Sequence, residues 1–401
     1  MSHDTTPCTP VPLPRDLHSA IRARIREVIE EILQEELAEA LGAAPRERTG
    51  DRAGYRNGSL ERRLVTEYGP QDLKIPRGRL FAEDGSTSEW RSAVVPRYQR
   101  RAKRVDEAIL ACYLAGANTR RIRKAVAPIL GETDLSKSAI SRLVKKLKAH
   151  FEAWRTRDLS DELYLYLYMD ATNLPVRLVR RVVRVPVQVV VGVRPDGEKV
   201  LVSLQIARSE STAAWRAVTE DLVRRGLPAP ALVVIDGNAG LRRALREVWP
   251  ETPVQRCTKH KLENLRAKAP AHAHAELKRD YDAIVYANDL RQALAARRSF
   301  ITKWTLLSKE VVRSLEQAGD EFLTFYRFPK SQWKCLRTTN PIEGINGAFK
   351  RRTKTQGAFT NEDSALVLLH GLFASGQIQM RKIDGWKELK QITLPGLQNV
   401  A

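Results

Sequence analysis

Three carboxylates occupy positions from which they can do metal-assisted chemistry. Asp170 ends the run DELYLYLYMD, Asp236 directly follows ALVVI, and Glu343 sits in TTNPIEGINGAFKRRTK beside two glycines and ahead of a run of cations. Hard oxygen ligands of this kind suit Mg²⁺, with Mn²⁺ as a substitute. Two such ions a few ångströms apart are what phosphodiester cleavage and strand transfer need, one at the attacking oxygen and one at the leaving oxygen. Each acid also has a structural reading. Asp170 can be a turn-forming strand end, and Asp236 an N-cap to a helix starting near Asn238 or Ala239. Glu343 can close a capping box with Asn340, Pro341 being the first helical residue. Against the capping box stand Gly344 and Gly347, each weakening a helix by about 1 kcal/mol relative to Ala, which implies a close approach to the backbone there. Glu343, Asn346, Lys350 and Lys354 share one side of that helix, an arrangement in which the acid holds metal while the cations hold phosphate.

The elements that must position these acids are legible in the pattern. DELYLYLYMDATN alternates leucine with tyrosine, so it is a strand with Asp170 on the tyrosine face. RVVRVPVQVVVGV and EKVLVSLQIA follow as two more strands of an antiparallel meander, with Pro186 at an edge or bulge. A helix over SESTAAWRAVTEDLVRRGL, the short apolar strand ending at Asp236, a further helix, the strand VQRC and the helix HKLENL complete the order. A strand such as ALVVI reached through a helix reads as parallel and covered on both faces, and such sheets carry their sites at strand C-termini. Three strands with an acid in the first, a helix, and a fourth strand ending in a second acid predict an α/β core of ribonuclease H-like type, order βββαβ.

Upstream, Ile21, Ile25, Val28, Ile32 and Leu37 recur at helical spacing, which fits either an ordinary surface helix or a dimerisation helix. Short strand-like pieces punctuated by Asn57-Gly58, Gly69-Pro70 and Pro76-Arg77-Gly78-Arg79 predict a small basic β-containing unit. Three helical stretches follow, the last capped by Ser136 or Ser138. Its first turns carry Lys137, Ser138, Ser141 and Arg142, placed as in the recognition helix of a helix-turn-helix that enters the major groove, a geometry that helical domains without DNA-binding also adopt; the charge excess favours the DNA-reading version. The expected organisation is a helical segment over 1–50, the β-containing unit over 51–100, and a helix-turn-helix-like DNA-binding domain over 101–156. The first part of the catalytic core would span 157–261, an all-helical insertion 262–333, and the end of the core with the Glu343 helix 334–401.

Lys and Arg number 68 against 47 Asp and Glu, a formal charge of +21 over 401 residues, which calls for a polyanionic partner. The apolar share of 43% is enough to bury a core. Cys8, Cys112, Cys257 and Cys335 form no CxxC pair, which suits a reducing compartment and argues against a disulfide framework. No leader-like start and no membrane-length apolar run is visible, so the chain reads as cytoplasmic with no membrane partner. Cys257 and His260 make a CxxH, half of a zinc site whose other half is absent; an active-centre His260 that orients DNA or phosphate, with Cys257 packed at a strand end, is the preferred reading. Arg337, Arg351 and Arg352 flank the Glu343 segment as clamps for the scissile strand or as a solvated basic face. Trp215 reads as core packing, with base stacking the lesser alternative.

QRCTKHKLEN and TTNPIEGINGAFKRRT, with VVIDGNAGL and YMDATN upstream, resemble the signature blocks of the Mutator-type DDE transposases of bacterial insertion sequences. GYRNGSLERRLVTEYG, LKIPRGR and RYQRRAKRVDEAI extend the resemblance from about Arg52 to Thr355. It implies that Asp170, Asp236 and Glu343 are the catalytic, metal-binding triad, that Cys257 and His260 are the family's CxxH element, and that 262–333 is an insertion splitting the catalytic fold. Asn238 stands where relatives are expected to carry His. The implied function is a Mg²⁺-dependent transposase that binds the terminal inverted repeats of its element, and target DNA, as at least a dimer. A structure-specific nuclease of the same fold, or a DNA-binding protein without transposition activity, are the alternatives.

Overall fold

The computed structural model describes residues 16–392 except 51, 118, 132–134, 179 and 360. The chain is mixed α/β and divides into two compact units, 1–145 and 146–401.

In the first unit, α1 (Leu17–Leu41) begins on an Asp16 cap and ends at Gly42 in the left-handed conformation. Strands β1 (Gly54–Thr66), β2 (Gly69–Phe81) and β3 (Thr87–Glu89) form an antiparallel sheet in that order. The helix packs through Leu33, Leu37 and Leu41, while Ile21, Val28 and Ile32 are 36–40% exposed. The stripe expected from sequence is thus only partly used, because the buried face lies along the C-terminal half of the helix. Helices α2 (Lys103–Leu114), α3 (Thr119–Leu130) and the start of α4 (Lys137–Arg155) bury Val105, Ile109, Ile122, Val126 and Ile140 against Val65. Ser136 caps α4, its hydroxyl accepting from the Ala139 N–H at 3.2 Å.

The second unit is built on a five-stranded sheet of β4 (Tyr166–Leu178), β5 (Arg181–Val193), β6 (Lys199–Ile206), β7 (Leu232–Ile235) and β8 (Val254–Arg256), ordered β6-β5-β4-β7-β8. β4, β5 and β6 are antiparallel; β7 is parallel to β4, and β8 to β7. The carbonyl of Pro186 accepts from Ala207, so its ring nitrogen faces the β6 side, just past the last ladder pair Val187–Ile206, and no hydrogen bond is lost. α5 (Thr212–Arg224) and α6 (Ala239–Val248) cover one face, where Leu167, Met169, Val233 and Ile235 pack on Trp215, Val218, Leu222 and Leu241.

The tyrosine face is covered differently. Between β8 and the helix bearing Glu343, the described residues hold α7 (Thr258–Arg266), α8 (His274–Val285), α9 (Leu290–Leu307), α10 (Lys309–Gln317) and α11 (Trp333–Leu336), with short 3₁₀ turns and no strand. The Tyr168 hydroxyl donates to the Cys335 carbonyl at 3.1 Å, and that of Tyr166 bonds Gln332. α12 (Asn340–Gln356) then crosses β4, and α13 (Glu362–Ala374) closes the layer, buried from Ala365 to Leu372.

Candidate active site

The parallel register of β4 and β7 ends with Met169 opposite Ile235. One residue further, Asp170 and Asp236 emerge side by side at the C-terminal end of β7. Asp170 lies on the same face as Tyr166 and Tyr168, as the alternation requires. Its Oδ1 accepts from the Ala171 N–H at 2.9 Å, and its Oδ2 from the Asn346 amide at 2.8 Å. Burial, and then the neighbouring charge of Asp236, push the Asp170 carboxyl up to about 7. Two carboxylates that repel in this way are a donor set short of positive charge.

Asp236 is not the cap of α6. That role belongs to Asn238, whose Oδ1 accepts from Leu241 at 3.0 Å, while the Asn238 N–H donates to Asp236 Oδ1 at 2.8 Å. Gly237 between them adopts φ 105°, a conformation that favours glycine, and a Cβ there would fall 2.7 Å from the Arg256 guanidinium, which would have to shift. The Asn238 amide donates at 3.1 Å to Glu210, an acid at the end of the β6–α5 connection. Burial and then Asp236 raise Glu210 above its ordinary value. Sequence reasoning missed Glu210; its only signal is an acid directly ahead of the capping Ser211.

α12 has Thr339 as its N-cap residue, without a side-chain cap hydrogen bond, so the capping box of Asn340 with Glu343 is not formed. The Glu343 carboxylate instead accepts from Lys259 at 2.8 Å and lies 3.4 Å from the Thr339 hydroxyl. Thr339, wholly buried, is also 3.4 Å from the Cys257 sulfur and 3.5 Å from His260 Nδ1. Cys257, His260 and Glu343 each offer a donor atom within 4.8 Å of the other two, a set able to hold an ion. Glu343 therefore faces the CxxH pair at the start of α7, and Asn346, one turn on, touches Asp170.

His260 is raised to about 9, first by hydrogen bonding to Cys257, against burial, and then by the charges of Cys257, Asp236 and Asp170. Burial pushes the Cys257 thiol up, but His260 and Thr339 outweigh it and hold it below its ordinary value. At neutral pH the site thus presents an imidazolium close to both aspartates.

Gly344 and Gly347 have open space where a Cβ would stand. Gly344 borders a cavity of about 400 Å³ whose lining includes Lys199, Arg351 and Arg381. Lys350 and Lys354 are exposed along α12, and Arg352 is half-buried. The Arg337 guanidinium stacks 4.3 Å from the centre of the Tyr286 ring, and its carbonyl accepts from the Thr258 N–H at 2.8 Å. Trp215 is core, 1% exposed. Lys137, Ser138, Ser141 and Arg142 belong to the first unit and are exposed on the opening turns of α4.

Among the described residues no helix is long and apolar enough to cross a membrane. The chain is 32% identical over 318 residues to the transposase of insertion sequence element IS905 of Lactococcus lactis, covering 79% of this chain and 78% of that one. It is 33% identical over 322 residues to the transposase of IS406 of Burkholderia multivorans, with 80% and 81% covered. The transposase of IS256 in transposon Tn4001 of Staphylococcus aureus is 31% identical over 333 residues, with 82% of each chain covered. The solved Drosophila P element transposase strand transfer complex is similar at a TM-score of 0.28 and 12% identity, covering 69% of this chain and 81% of that chain, too distant a likeness to inform the fold. The family model described as "Transposase, Mutator family" matches residues 14–382, and the chain belongs to that family of transposases.

Proposed function

We propose that this transposase works by DDE chemistry, with Asp170, Asp236 and Glu343 holding Mg²⁺, or Mn²⁺ in its place. The supporting observation is the β4–β7 register, which sets Asp170 and Asp236 together beneath α12. A sheet of three antiparallel strands extended by two parallel ones, with Asp170 inside β4 level with the end of β7 and Asp236 just past that end, supports a ribonuclease H-like core, and the strand-free stretch from α7 to α11 supports an insertion within it over 262–333. The donor set fits a hard divalent cation: oxygen ligands only, and a carboxyl at Asp170 that burial and Asp236 hold near 7 until positive charge arrives. When bound, such ions supply the charge that in-line attack on a phosphodiester needs at the attacking and leaving oxygens.

The residues of the chain do the rest. Asn346 fixes the rotamer of Asp170. His260, cationic beside both aspartates, orients the scissile phosphate. Glu343 joins the aspartates once Lys259 finds a phosphate to pair with instead. Arg337, Lys350, Arg351, Arg352 and Lys354 track the strand to be cut, while Lys137, Ser138, Ser141 and Arg142 read the terminal inverted repeats in the major groove. Hydrolysis exposes a 3′-hydroxyl, which then attacks target DNA at the same site. Two element ends must be paired, so the working form is at least a dimer, acting in the cytoplasm on the nucleoid. The deciding experiment is a strand-transfer assay with element-end DNA and Mg²⁺ comparing wild type with Glu343→Gln. Joining lost with DNA binding retained supports the triad; unchanged joining refutes the role of Glu343.

A further inference from the structure

β4 and β5 outrun the sheet they belong to. β7 pairs with β4 only over Tyr166–Met169, and β6 with β5 only over Val187–Val193, yet β4 and β5 remain paired out to Leu178 and Arg181. Beyond the sheet the hairpin is a ribbon whose base is secured. Leu174, Val176 and Val185 are buried, and Phe359 bridges to β4, donating to the Pro175 carbonyl at 3.0 Å and accepting from the Arg177 N–H at 2.8 Å.

The end of the ribbon has a different chemistry. Arg177, Arg180, Arg181 and Arg184 are all exposed, and no described carboxylate is ion-paired with any of them. Val182 and Val183 between them are 52% and 41% exposed. Cross-strand partners share a face, so the pairs Leu178–Arg181 and Val176–Val183 leave by one side, and Arg177–Val182 and Pro175–Arg184 by the other. Cations therefore project from both faces, with Arg180 in the turn. Some other arginines of this unit do pair with acids: Arg194 with Glu162 and Glu198, Arg216 with Glu247, Arg242 with Glu321. Like charges crowded without counter-charge repel, and the arrangement gains when a polyanion neutralises it. A two-stranded ribbon fits the major groove, about 12 Å wide, whose two walls are lined by phosphates.

We infer that the β4–β5 ribbon is a DNA-binding arm that enters a groove of the duplex held at the Asp170–Asp236 site, with Arg177, Arg180, Arg181 and Arg184 on its phosphates. At about 3.3 Å per residue, Arg177 lies ~23 Å along β4 from Asp170, which corresponds to roughly seven base pairs from the reacting phosphate at about 3.4 Å each. The location of that phosphate rests on the function proposed above; binding by the arm does not.

The test uses the full chain and duplexes carrying an element end with flanking DNA, with affinity measured by fluorescence anisotropy over a NaCl series. Replacing all four arginines by Gln is expected to lower the slope of log affinity against log salt by about 3 to 4, since each phosphate contact contributes about 0.9. Hydroxyl-radical footprinting is expected to lose protection about seven base pairs from the cleavage position, and the side on which it is lost tells element DNA from flanking or target DNA. Arg181→Gln with Arg184→Gln, at the exposed end of β5, should lower the slope by about 1.8 and serves if the fourfold variant misfolds. An unchanged slope and footprint in either variant overturns the arm. Wild-type protein that binds no DNA would instead refute the function proposed above.

Discussion

Asn346 and Asp170, 176 positions apart in the chain, are joined by a 2.8 Å hydrogen bond from amide to carboxylate. This bond fixes α12, and with it Glu343, against the strand that carries the first acid. Asn346 is 6% exposed, and its bond goes to a charged acceptor, so Asn346→Ala is expected to destabilise the fold by about 2 kcal/mol. Strand transfer should fall by at least about tenfold, since a 1.4 kcal/mol rise in barrier already gives that factor. Urea unfolding and a joining assay measure the two effects separately; a stable variant with full activity would mean that the bond positions nothing.

Metal-free stability should depend on pH through Asp170. Its carboxyl is held at about 7 by burial and Asp236, above the unfolded value of roughly 3.9. A group raised in the folded state contributes stability that is complete below the unfolded value and is lost as pH rises through the folded one. With EDTA present, the melting temperature is expected to fall between pH 4 and pH 7, and Mg²⁺ to restore it. His370, lowered to about 4 by burial, acts in the opposite sense as pH falls below about 6.5. The comparison is therefore wild type against Asp170→Asn by scanning calorimetry, and the variant should lose the decline.

On the proposed mechanism, Lys259 competes with metal for Glu343, whose carboxylate accepts from it at 2.8 Å. The Lys259 side chain is 50% exposed, so the pair is worth at most about 1 kcal/mol and its loss should barely move the melting temperature. Lys259→Ala should lower the Mg²⁺ concentration for half-maximal strand transfer, because the carboxylate is no longer neutralised within the protein. A higher requirement would show that Lys259 serves the reaction directly.

Glu210 adds a negative charge beside Asp236 that the three-acid reading omits. Glu210→Gln keeps a partner for Asn238 and removes like-charge repulsion, so the metal-free protein should melt higher while Mn²⁺ affinity falls several-fold in calorimetric titration. Unchanged affinity would leave Glu210 a partner of Asn238 alone.

The strands of the second unit were readable because their chemistry repeats at the period of the backbone. Alternating Leu and Tyr reported the face on which Asp170 lies, and the apolar run before Asp236 reported a covered parallel strand. The buried stripe of α1 was read less well. Apolar spacing shows which residues can share a face but not how much of that face meets a partner, and Ile21, Val28 and Ile32 remain exposed.

By itself the sequence determined which residues carry charge, where the strands and helices of the second unit run, and that Asp170 falls in the first of three successive strands and Asp236 just after the fourth, which is reached through a helix. Those properties depend on neighbours within a few positions, and periodicity records them. Only the tertiary structure decided that Thr339 and not Asn340 is the N-cap residue of α12, that Glu343 turns toward Lys259 and the CxxH pair, that Asn346 touches Asp170, and that Glu210 joins the aspartates. These are contacts between residues far apart in the chain, set by sheet register and helix docking, and no local pattern encodes the distance between them.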